Sequence, residues 1–420
     1  MKHIVFILGS YYPNFSAVGA CARNVIRELV RDYRITVLSL RDDMGQPSRE
    51  RVDGVDIVRV DTPQRRQRLM LMAAATSMGL YGTLRLQSYR IFIAANKLLG
   101  RETVESDLVA AYLRELEAFH DEVHVLVPLV FPFESVLAAL AHKKLNPTVL
   151  VIPYLFDDFV ESRSLHLLAM NRMLKERRHV ALERTMLDEA YAVLAMHPLR
   201  THFARHFKPA VVEKIRFLEH PLLTPHAVAT AQQTIRPVVL SYAGSLIRKV
   251  REPDYLLEML QAMPVDCPVR VDFYVMGNDA HKVKDQVVSD QLHITNRGRV
   301  SEEGARLAMT QSNILLNLGE VRGKQVSSKV FEYMAAGKPI IHLAFVANDA
   351  VAAVLAKYPL SLCLIQTRSQ LYENACHCAE FIHRHKHSQL AFAEVAALYP
   401  EAIPGATADL IRSLLNPGMP

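Results

Sequence analysis

The sequence has little of what usually identifies a nucleic-acid-binding protein. It contains no tryptophan, and only 7% of its 420 residues are aromatic, which argues against a platform on which single-stranded bases stack. Lys and Arg number 49 against 43 Asp and Glu, giving a formal net charge of +6, yet no tract rich in Lys and Arg is present. We therefore expect no nucleic-acid partner and relate the basic balance to anionic small molecules or an anionic membrane.

Long apolar runs and paired cysteines are also missing. No window reaches about eighteen uninterrupted apolar residues, so a membrane span is not expected. Residues 1–12 contain one short apolar run and no cleavage-site pattern, and they predict a buried first strand instead of a signal peptide. The five cysteines are odd in number and lack framework spacing, which indicates a reducing compartment. These features predict a cytoplasmic protein, with the inner face of the plasma membrane as an alternative location.

A metal site and a dinucleotide fingerprint are absent as well. Cys376 and Cys378 lie on a predicted helix, where residues two apart point about 200° away from each other, so they do not easily share one ion. His383 and His387 have a spacing that would let them share one ion, but a solvated helix is the simpler interpretation, and we predict no metal. No G-x-G-x-x-G follows a strand, which disfavours a Rossmann-type oxidoreductase.

What the sequence does contain is a repeated alternation of short apolar runs with helical periodicity. The order strand, loop, helix, strand begins at Lys2–Gly9 and predicts a parallel, doubly wound α/β sheet. A second series starts at Val238–Tyr242, after a proline-containing segment, Pro221–Pro237, that we interpret as a linker. At this length two domains are expected. We predict Rossmann-like domains over 1–225 and 226–400, and a helix in 401–420 that returns to the first domain.

Residues Thr62–Leu99 form a helical stretch with basic and apolar residues and no acidic one. One interpretation is a surface that lies on an anionic membrane. The other is a set of core helices with a solvated basic rim. The sequence leaves both open. The basic residues of the stretch are Arg65, Arg66, Arg68, Arg85, Arg90 and Lys97.

The most informative segment is Asn313–Leu343, which reads as strand, polar loop, helix, glycine stop and strand. A helix N-terminus presents free N–H groups and partial positive charge, which suit a phosphate. Ser327 and Ser328 are candidate caps, and Lys329 adds a charge at the same end. Glu332 lies one turn further, where its carboxylate could accept two ribose hydroxyls. The alternative is an ordinary βα unit in which Glu332 is a solvated helix residue.

The segment SSKVFEYMAAGKPII resembles the nucleotide-sugar signature of family 4 glycosyltransferases, a helix of the form E-A-M-A-x-G-x-P-V-I. The resemblance implies a GT-B fold, in which two Rossmann-like domains face a central cleft. It also implies that the first domain binds the acceptor and the second binds the donor. Glu332 matches the glutamate that grips the donor ribose, and Val326, Ser327 and Ser328 match the preceding loop.

Three further matches support the resemblance. Gly244 and Ser245 stand where the family has its phosphate-binding motif, and Arg299 and Val300 lie in a turn like the one that contacts the base. The loop 12–19, which ends at Gly19, resembles the family's Pro-rich loop after the first strand, near the donor phosphates and the acceptor.

Two positions depart from the family pattern. Lys324 occupies the place of the first acid of the family's Glu-x7-Glu pair, and Glu320 is a substitute only if the loop shifts. Ser245 stands in place of the usual phosphate-binding arginine. Arg248 and Arg251 are close enough in sequence to neutralise the diphosphate instead.

The resemblance implies that fixed cations and helix-end amides stabilise the leaving diphosphate without a metal or other cofactor. Arg248, Arg251 and Lys329 are the candidate catalytic residues. On the acceptor side we select Gly19 and Asp157, although Asp157 and Asp158 also suit helix-capping acids. His197 and His220 follow strand ends, where each is either a residue facing the cleft or an ordinary polar loop residue.

The predicted function is transfer of a sugar from a nucleotide sugar to a saccharide or lipid-linked saccharide acceptor. The resemblance implies a retaining hexosyltransferase of surface polysaccharide or glycolipid synthesis, with peripheral contact to an anionic membrane. Two alternatives remain open. One is a nucleotide-sugar epimerase, which shares the donor site and lacks an acceptor site. The other is a nucleotide-binding GT-B scaffold that lost catalysis, as Lys324 and Ser245 allow.

Overall fold

The computed structural model describes residues 1–13, 15–77, 79–99, 104–119, 123–160, 169–225, 237–323 and 326–416. The chain divides into two compact units. Unit 1 comprises Met1–Pro221 and Pro404–Pro420, and unit 2 comprises Leu222–Ile403. Most of the predicted linker, residues 226–236, and the departure at Lys324 lie outside the described residues.

Unit 1 contains a six-stranded sheet in the order β3-β4-β2-β1-β5-β6. All neighbours are parallel except β3, which forms an antiparallel pair with β4 at the edge. Every residue of β1 is buried, as expected for a strand covered on both faces. The strands are β1 His3–Ile7, β2 Arg34–Leu40, β3 Arg49–Val52, β4 Val55–Val60, β5 Val125–Pro128 and β6 Leu150–Val151.

A second, three-stranded parallel sheet in unit 1 has the order β7-β8-β9. It consists of β7 Tyr154–Leu155, β8 Val193–Met196 and β9 Ile215–Leu218. The sequence predicts one strand over Thr148–Pro153, whereas β6 and β7 lie on either side of Pro153 and belong to different sheets. Proline has no N–H to donate to a ladder, which accounts for the break.

The helices of unit 1 include a hairpin that the sequence did not predict as such. The stretch Thr62–Leu99 forms two packed helices, because Gly79 adopts a left-handed φ of 59°. Gly82 lies so close to the Ala74 carbonyl that a Cβ would overlap it. Among the described residues, no helix is long and apolar enough to cross a membrane. The helices are α1 Ala17–Leu29, α2 Pro63–Ser77, α3 Gly79–Leu99, α4 Ser106–Glu117, α5 Glu134–Leu145, α6 Ala169–Glu189, α7 Arg200–His206 and α8 Pro209–Val212.

Unit 2 contains a seven-stranded sheet in the order β12-β13-β11-β10-β14-β15-β16. Only β12 is antiparallel to its neighbour. The strand order reverses between β10 and β14, and this switch point is where doubly wound sheets bind ligands. The strands are β10 Val238–Ser245, β11 Val269–Met276, β12 Gln286–Ser289, β13 Leu292–Asn296, β14 Ile314–Leu318, β15 Ile340–Ala344 and β16 Ser361–Ile365.

The helices of unit 2 follow its strands, so both units are α/β with parallel-dominated sheets, and the predicted fold class is confirmed at this level. They are α9 Asp254–Gln261, α10 Glu302–Gln311, α11 Ser328–Ala335, α12 Ala350–Leu355, α13 Leu371–His385 and α14 Phe392–Leu398. The chain then returns to unit 1, where α15 Pro404–Leu415 packs on α1.

Two polar contacts hold α15 in unit 1. Lys2 Nζ donates to the Leu415 carbonyl at 2.7 Å, and Arg412 Nη2 pairs with Asp32 at the same distance.

Candidate functional site

Two loops meet at the carboxyl edge of the unit 2 sheet, on either side of the switch point. One follows β10 and contains Val250, and the other follows β14 and contains Val321. The Val321 N–H donates to the Val250 carbonyl at 2.9 Å. This bond fixes the two loops beside each other within unit 2.

The N-terminus of α11 lies beside the end of β10. The Ala243 N–H of β10 donates to the Tyr333 hydroxyl of α11 at 3.2 Å. Burial raises the Tyr333 pKa far above its usual range, so the group remains a phenol. Tyr333, in the second turn of α11, therefore fixes this helix against the strand that ends in Gly244 and Ser245.

Ser327 is at the N-cap position of α11, as predicted, but its side chain makes no capping hydrogen bond. The expectation that its hydroxyl caps the helix is therefore wrong, and the side chain of Ser328 lies outside the described part of the chain. The Val330 N–H donates to the Ser327 carbonyl at 3.0 Å, and without a capping side chain from Ser327 the N–H groups before it can receive an anion. The helix ends as predicted at Gly337, which adopts a left-handed φ of 68°.

Lys329, on the first turn of α11, and Glu332, three residues further along the helix, form an ion pair with each other. Lys329 Nζ lies 2.8 Å from Glu332 Oε2, and the two side chains are 29% and 25% exposed. The sequence assigned one to phosphate and the other to ribose, and it did not foresee this pairing. A nucleotide would meet the pair as a unit, in which Lys329 orients the carboxylate.

Arg251 closes a tight turn after β10 that begins at Ile247 and has a left-handed Lys249 at its tip. Its Nε is buried and has no hydrogen-bond partner among the described residues. A buried donor left without an acceptor costs about 1–3 kcal/mol, and an anion can remove that cost. Arg251 is therefore a strong candidate for the cation at this edge.

Arg248 is in a different situation. Its side chain is 63% exposed, and its Nε lies 3.4 Å from the carboxylate of buried Asp279. Lys282 contributes most to lowering the Asp279 pKa, and Arg248 adds to the effect. Part of the Arg248 charge is thus already neutralised by Asp279.

Gly277 allows the loop after β10 to lie close to the end of β11. It has a left-handed φ of 106°, and a Cβ there would overlap the Leu246 carbonyl. Leu246 is the residue after β10, and its N–H donates to the Met276 carbonyl at 2.8 Å. Sequence analysis missed Gly277, although a glycine directly after β11 was a usable signal.

The predicted base-contacting turn, with Arg299 and Val300, follows β13. Gly298 adopts a left-handed φ of 68°, and its N–H donates to Asn296 Oδ1 at 2.8 Å. Ser301 then caps α10 by accepting from the Gly304 N–H at 3.1 Å. Arg299 is exposed and Val300 half-buried.

A buried polar network supports the loop after β14, and it too was missed. His342 bonds Asn317 at 2.8 Å through Nδ1 and Asp349 at 3.1 Å through Nε2. Burial alone would raise the Asp349 pKa, but the hydrogen bond from His342 and two backbone N–H groups hold it below its ordinary value. A Cβ on Gly319 would lie 3.0 Å from Asp349 Oδ2. The loop after β14, which begins at Gly319, therefore packs directly against the His342–Asp349 pair.

The predicted acceptor-side residues lie in unit 1. Gly19 is buried in the first turn of α1, where a Cβ would lie 2.6 Å from the Ser10 carbonyl oxygen. Asp157 follows β7 at the carboxyl edge of the three-stranded sheet. Desolvation raises the Asp157 pKa, and the charge of His220 opposes that shift, which places His220 near Asp157. His220 follows β9 and bonds Glu219 through Nδ1 at 2.9 Å.

Unit 2 therefore brings the predicted donor residues to one sheet edge, and unit 1 contains Gly19 and Asp157. The cysteines are all free, and buried Cys378 and exposed His383 lie on one helix, where His383 pairs with Asp266 at 3.1 Å. Among the described residues, three side chains of ligand type that meet in one place are Asp158, Glu183 and His202 of unit 1.

No protein-family model matches the sequence, and no curated protein matches it. The fold, however, is shared with solved structures over nearly all of each chain. Sucrose-phosphate synthase from Thermosynechococcus elongatus superposes with a TM-score of 0.59 at 14% identity, covering 100% of both chains. HepE from Anabaena, in complex with UDP-glucose, gives 0.57 at 12% identity and covers 99% of this chain and 100% of its own. The lipopolysaccharide galactosyltransferase WaaB gives 0.57 at 10%, with full coverage of both. The chain therefore has the GT-B fold of these glycosyltransferases.

Proposed function

We propose that the protein is a glycosyltransferase that takes a nucleotide-sugar donor in unit 2. One observation supports the proposal above the others: Tyr333 joins α11, the helix that follows β14, to the end of β10 at the switch point of the sheet. This arrangement presents helix-end N–H groups and cations to one ligand position. The resemblance of α11 to the family 4 signature supports the same conclusion.

The diphosphate would bind between Arg251 and the first turn of α11. The buried Nε of Arg251, for which the described residues supply no acceptor, would receive one from a phosphate oxygen. The amides of residues 326–329 and the Lys329 ammonium would face the same negative charge. Gly244 and Ser245 would allow close approach of the phosphates, and Arg248 would add a weaker, exposed contribution.

The nucleoside would extend from the diphosphate along the same edge. Glu332, oriented by Lys329, would accept the two ribose hydroxyls. The turn at Arg299 and Val300 would contact the base, as the resemblance implies. No metal or other cofactor is included in this proposal.

In the reaction, the glycosidic bond to the diphosphate breaks and a bond to the acceptor hydroxyl forms. The electron pair of the broken bond goes to the leaving phosphate oxygen, and fixed donors aimed at that oxygen lower the barrier. The acceptor proton would go to the departing phosphate. We propose retention of configuration on the resemblance to family 4, together with a hexose as the transferred sugar.

The acceptor would be a saccharide or lipid-linked saccharide bound by unit 1 near Gly19 and Asp157, in surface polysaccharide or glycolipid synthesis. A lipid-linked acceptor suits a cytoplasmic enzyme that docks on the inner face of the plasma membrane. The α2–α3 hairpin supports this part of the proposal, because large apolar side chains are exposed on it beside arginines. The exposed apolar residues are Met70, Met72, Leu80, Tyr81, Leu84, Ile91 and Phe92.

The first experiment is calorimetric titration of the protein with UDP, GDP and ADP. We expect one of them to bind in the micromolar range, and Glu332→Ala to weaken it about tenfold or more, as expected for a lost hydrogen bond of a charged group. Glu258→Ala is the matched control, since Glu258 is an exposed glutamate of α9 that pairs with Arg368. Loss of affinity in the control as well would remove the assignment of Glu332.

The same titration separates the competing functions. If no nucleotide binds, the donor-site proposal fails. Binding without turnover of any nucleotide sugar would favour a catalytically altered scaffold. Ser245 and Lys324 are compatible with that alternative, because both depart from the family 4 pattern. Conversion or hydrolysis of the donor with no acceptor requirement would favour an epimerase.

A further inference from the structure

A histidine in unit 1 lies between two carboxylates contributed by distant parts of the chain. His202, on α7, places Nε2 2.7 Å from Glu183 Oε2 of α6. Its Nδ1 lies 3.5 Å from Asp158 Oδ2 in the loop after β7. The side chain of Glu183 is fully buried, and those of His202 and Asp158 are 7% and 26% exposed.

The geometry fits an imidazolium that donates to Glu183 through Nε2 and holds Asp158 at ion-pair distance from Nδ1. A neutral imidazole has one N–H and one lone pair, so it can donate to only one of the two carboxylates. The 2.7 Å separation is typical of a charge-assisted N–H···O bond. Glu183 Oε1 is buried and has no hydrogen-bond partner within the described residues, so the carboxylate depends on His202 for compensation.

The same three residue types are also ligands for zinc. A metal ion binds one imidazole nitrogen, and both carboxylates would then have to approach that nitrogen. Here they face different nitrogens of the ring, and one contact has the length of a hydrogen bond. The arrangement therefore suits a proton better than a metal.

Other charged groups surround this cluster. The His206 ring, also on α7, lies 4.8 Å from the His202 ring. The charges of Arg205 on α7 and Glu176 on α6 shift the His206 pKa in opposite directions. Desolvation is the largest cause of the lowered His206 pKa, followed by His202 and Arg205. Along α6, buried Lys175 and His179 precede Glu183 at four-residue intervals and share its buried face.

We propose that His202 is a positioning residue for the acceptor side of unit 1. As an imidazolium it holds Asp158 with one nitrogen and Glu183 with the other, and so fixes the loop 156–160 to α6 and α7. Asp157 is in that loop, next to Asp158. The inference rests on the proposed function in assigning Asp157 to the acceptor, but the clamp itself is independent of it.

The test measures hydrogen–deuterium exchange of peptides covering 154–160 between pH 6 and pH 9. Because intrinsic amide exchange itself accelerates with pH, the quantity compared is the protection factor, the intrinsic rate divided by the observed rate. In the wild type it is expected to be high at low pH and to fall once His202 loses its proton. His202→Gln should exchange at least about fivefold faster at pH 6. Glu183→Gln preserves the shape of the side chain but removes one carboxylate, so the pH of the transition should fall. Unchanged exchange in His202→Gln would overturn the proposal.

Activity gives a second measurement. His202→Gln should raise KM for the acceptor about tenfold and leave the affinity for the nucleoside diphosphate identified by titration unchanged, because the proposed donor site is in unit 2. The matched control is His383→Gln, which breaks an exposed His–Asp pair in unit 2 and should change neither quantity. If His202→Gln does not fold, the pH shift in Glu183→Gln decides the question, and an unshifted transition would overturn the clamp.

Two outcomes separate this inference from its alternatives. Stoichiometric binding of Zn²⁺ or Mn²⁺ that is abolished by Glu183→Gln would replace the clamp with a metal site. A wild type that binds no nucleotide would refute the proposed function, while the exchange measurement would still test the clamp.

Discussion

At the scale of single residues, the donor proposal depends most on Arg251. Its buried Nε has no acceptor among the described residues, so a phosphate would supply one. With UDP standing for whichever nucleoside diphosphate the titration identifies, we predict that Arg251→Gln weakens its binding about 10- to 100-fold, which corresponds to roughly 1.5–3 kcal/mol for a hydrogen bond to a charged group. The affinity for UMP, which lacks the second phosphate, should fall by a smaller factor. Calorimetric titration of both nucleotides checks this split.

Arg248→Gln is the natural comparison for Arg251→Gln. The Arg248 side chain is exposed and already lies near Asp279, so its removal should weaken UDP binding severalfold at most. An equal effect of the two substitutions would show that bulk positive charge attracts the nucleotide and that the buried Nε has no special part.

Asp349 gives a prediction with a definite pH dependence. Its pKa is lowered from an ordinary 3.8, so its contribution to stability is present above that value and is lost as pH falls through the folded-state pKa. Asp349→Asn should lower the free energy of unfolding by about 1.5–3 kcal/mol at pH 7. The difference from wild type should shrink below pH 3.8. Urea unfolding at several pH values measures it, and a difference independent of pH would contradict the ionic origin.

Sequence analysis located single residues better than it located their partners. The spacing of α11 placed Glu332 one turn into a helix, because helical periodicity is local. It did not foresee that Lys329 takes Glu332 as its partner, since that choice depends on side-chain rotamers. The His202 cluster joins residues 19 or more positions apart through tertiary packing alone, so no local pattern announces it.

At the scale of elements, two glycines offer a matched pair for the loops around the proposed site. Gly277 and Gly298 both adopt left-handed φ, but only at Gly277 would a Cβ overlap backbone, whereas none lies within 4 Å at Gly298. Gly298→Ala should cost about 1–2 kcal/mol of conformational strain. Gly277→Ala should cost more and also weaken UDP, because Leu246 must move. Urea unfolding and titration check both, and equal costs would refute the steric account.

The α2–α3 hairpin gives a second prediction for an element. We expect the protein to sediment with vesicles containing anionic lipid, and less so as salt screens the arginines. Leu80→Glu with Ile91→Glu should reduce binding about tenfold or more, since both side chains are largely exposed. Leu307→Glu alters an exposed leucine of α10 in unit 2 and should have no effect. Absence of binding to anionic vesicles would exclude the membrane contact.

Elements themselves were largely predictable, because burial on both faces leaves continuous apolar runs such as β1, β10 and β14. The failures have local causes. Pro153 divides a predicted strand, and Gly79 turns a single helical stretch into a hairpin. The edge strands β3 and β12 were missed because an exposed antiparallel edge has no apolar run to reveal it. The parallel edge strand β16 was missed as well, although its residues are mostly apolar.

At the scale of the whole molecule, each unit has its own hydrophobic core. A ligand should therefore stabilise only the unit that binds it against unfolding. We predict two calorimetric unfolding transitions, of which UDP raises only the one that belongs to unit 2. At a hundred times its dissociation constant, the nucleotide adds about 2.7 kcal/mol. At the same nucleotide concentration Glu332→Ala, about tenfold weaker or more, should reduce this gain to about 1.4 kcal/mol or less. A shift in both transitions, or in neither, would contradict a donor site contained in unit 2.

The GT-B fold could be predicted for the whole chain even though identity to the solved structures is only 10–14% in those compared above. Apolar periodicity is preserved when individual residues change, whereas acceptor recognition depends on particular side chains in loops. Asp157 and Gly19 therefore stay predictions, while the α/β architecture is directly visible in both units.

The return of α15 to unit 1 has a consequence for biosynthesis. Lys2 and Leu415 bond to each other although 413 positions separate them. A ribosome that has just completed Pro221, the end of the first segment of unit 1, must translate all of unit 2 before the helix that covers α1 exists. At about 5–20 residues per second, that interval is roughly 10 to 40 s. During it, the surface of α1 that α15 will cover stays open to solvent, so nascent unit 1 is a natural client for chaperones until the end of the chain has been made.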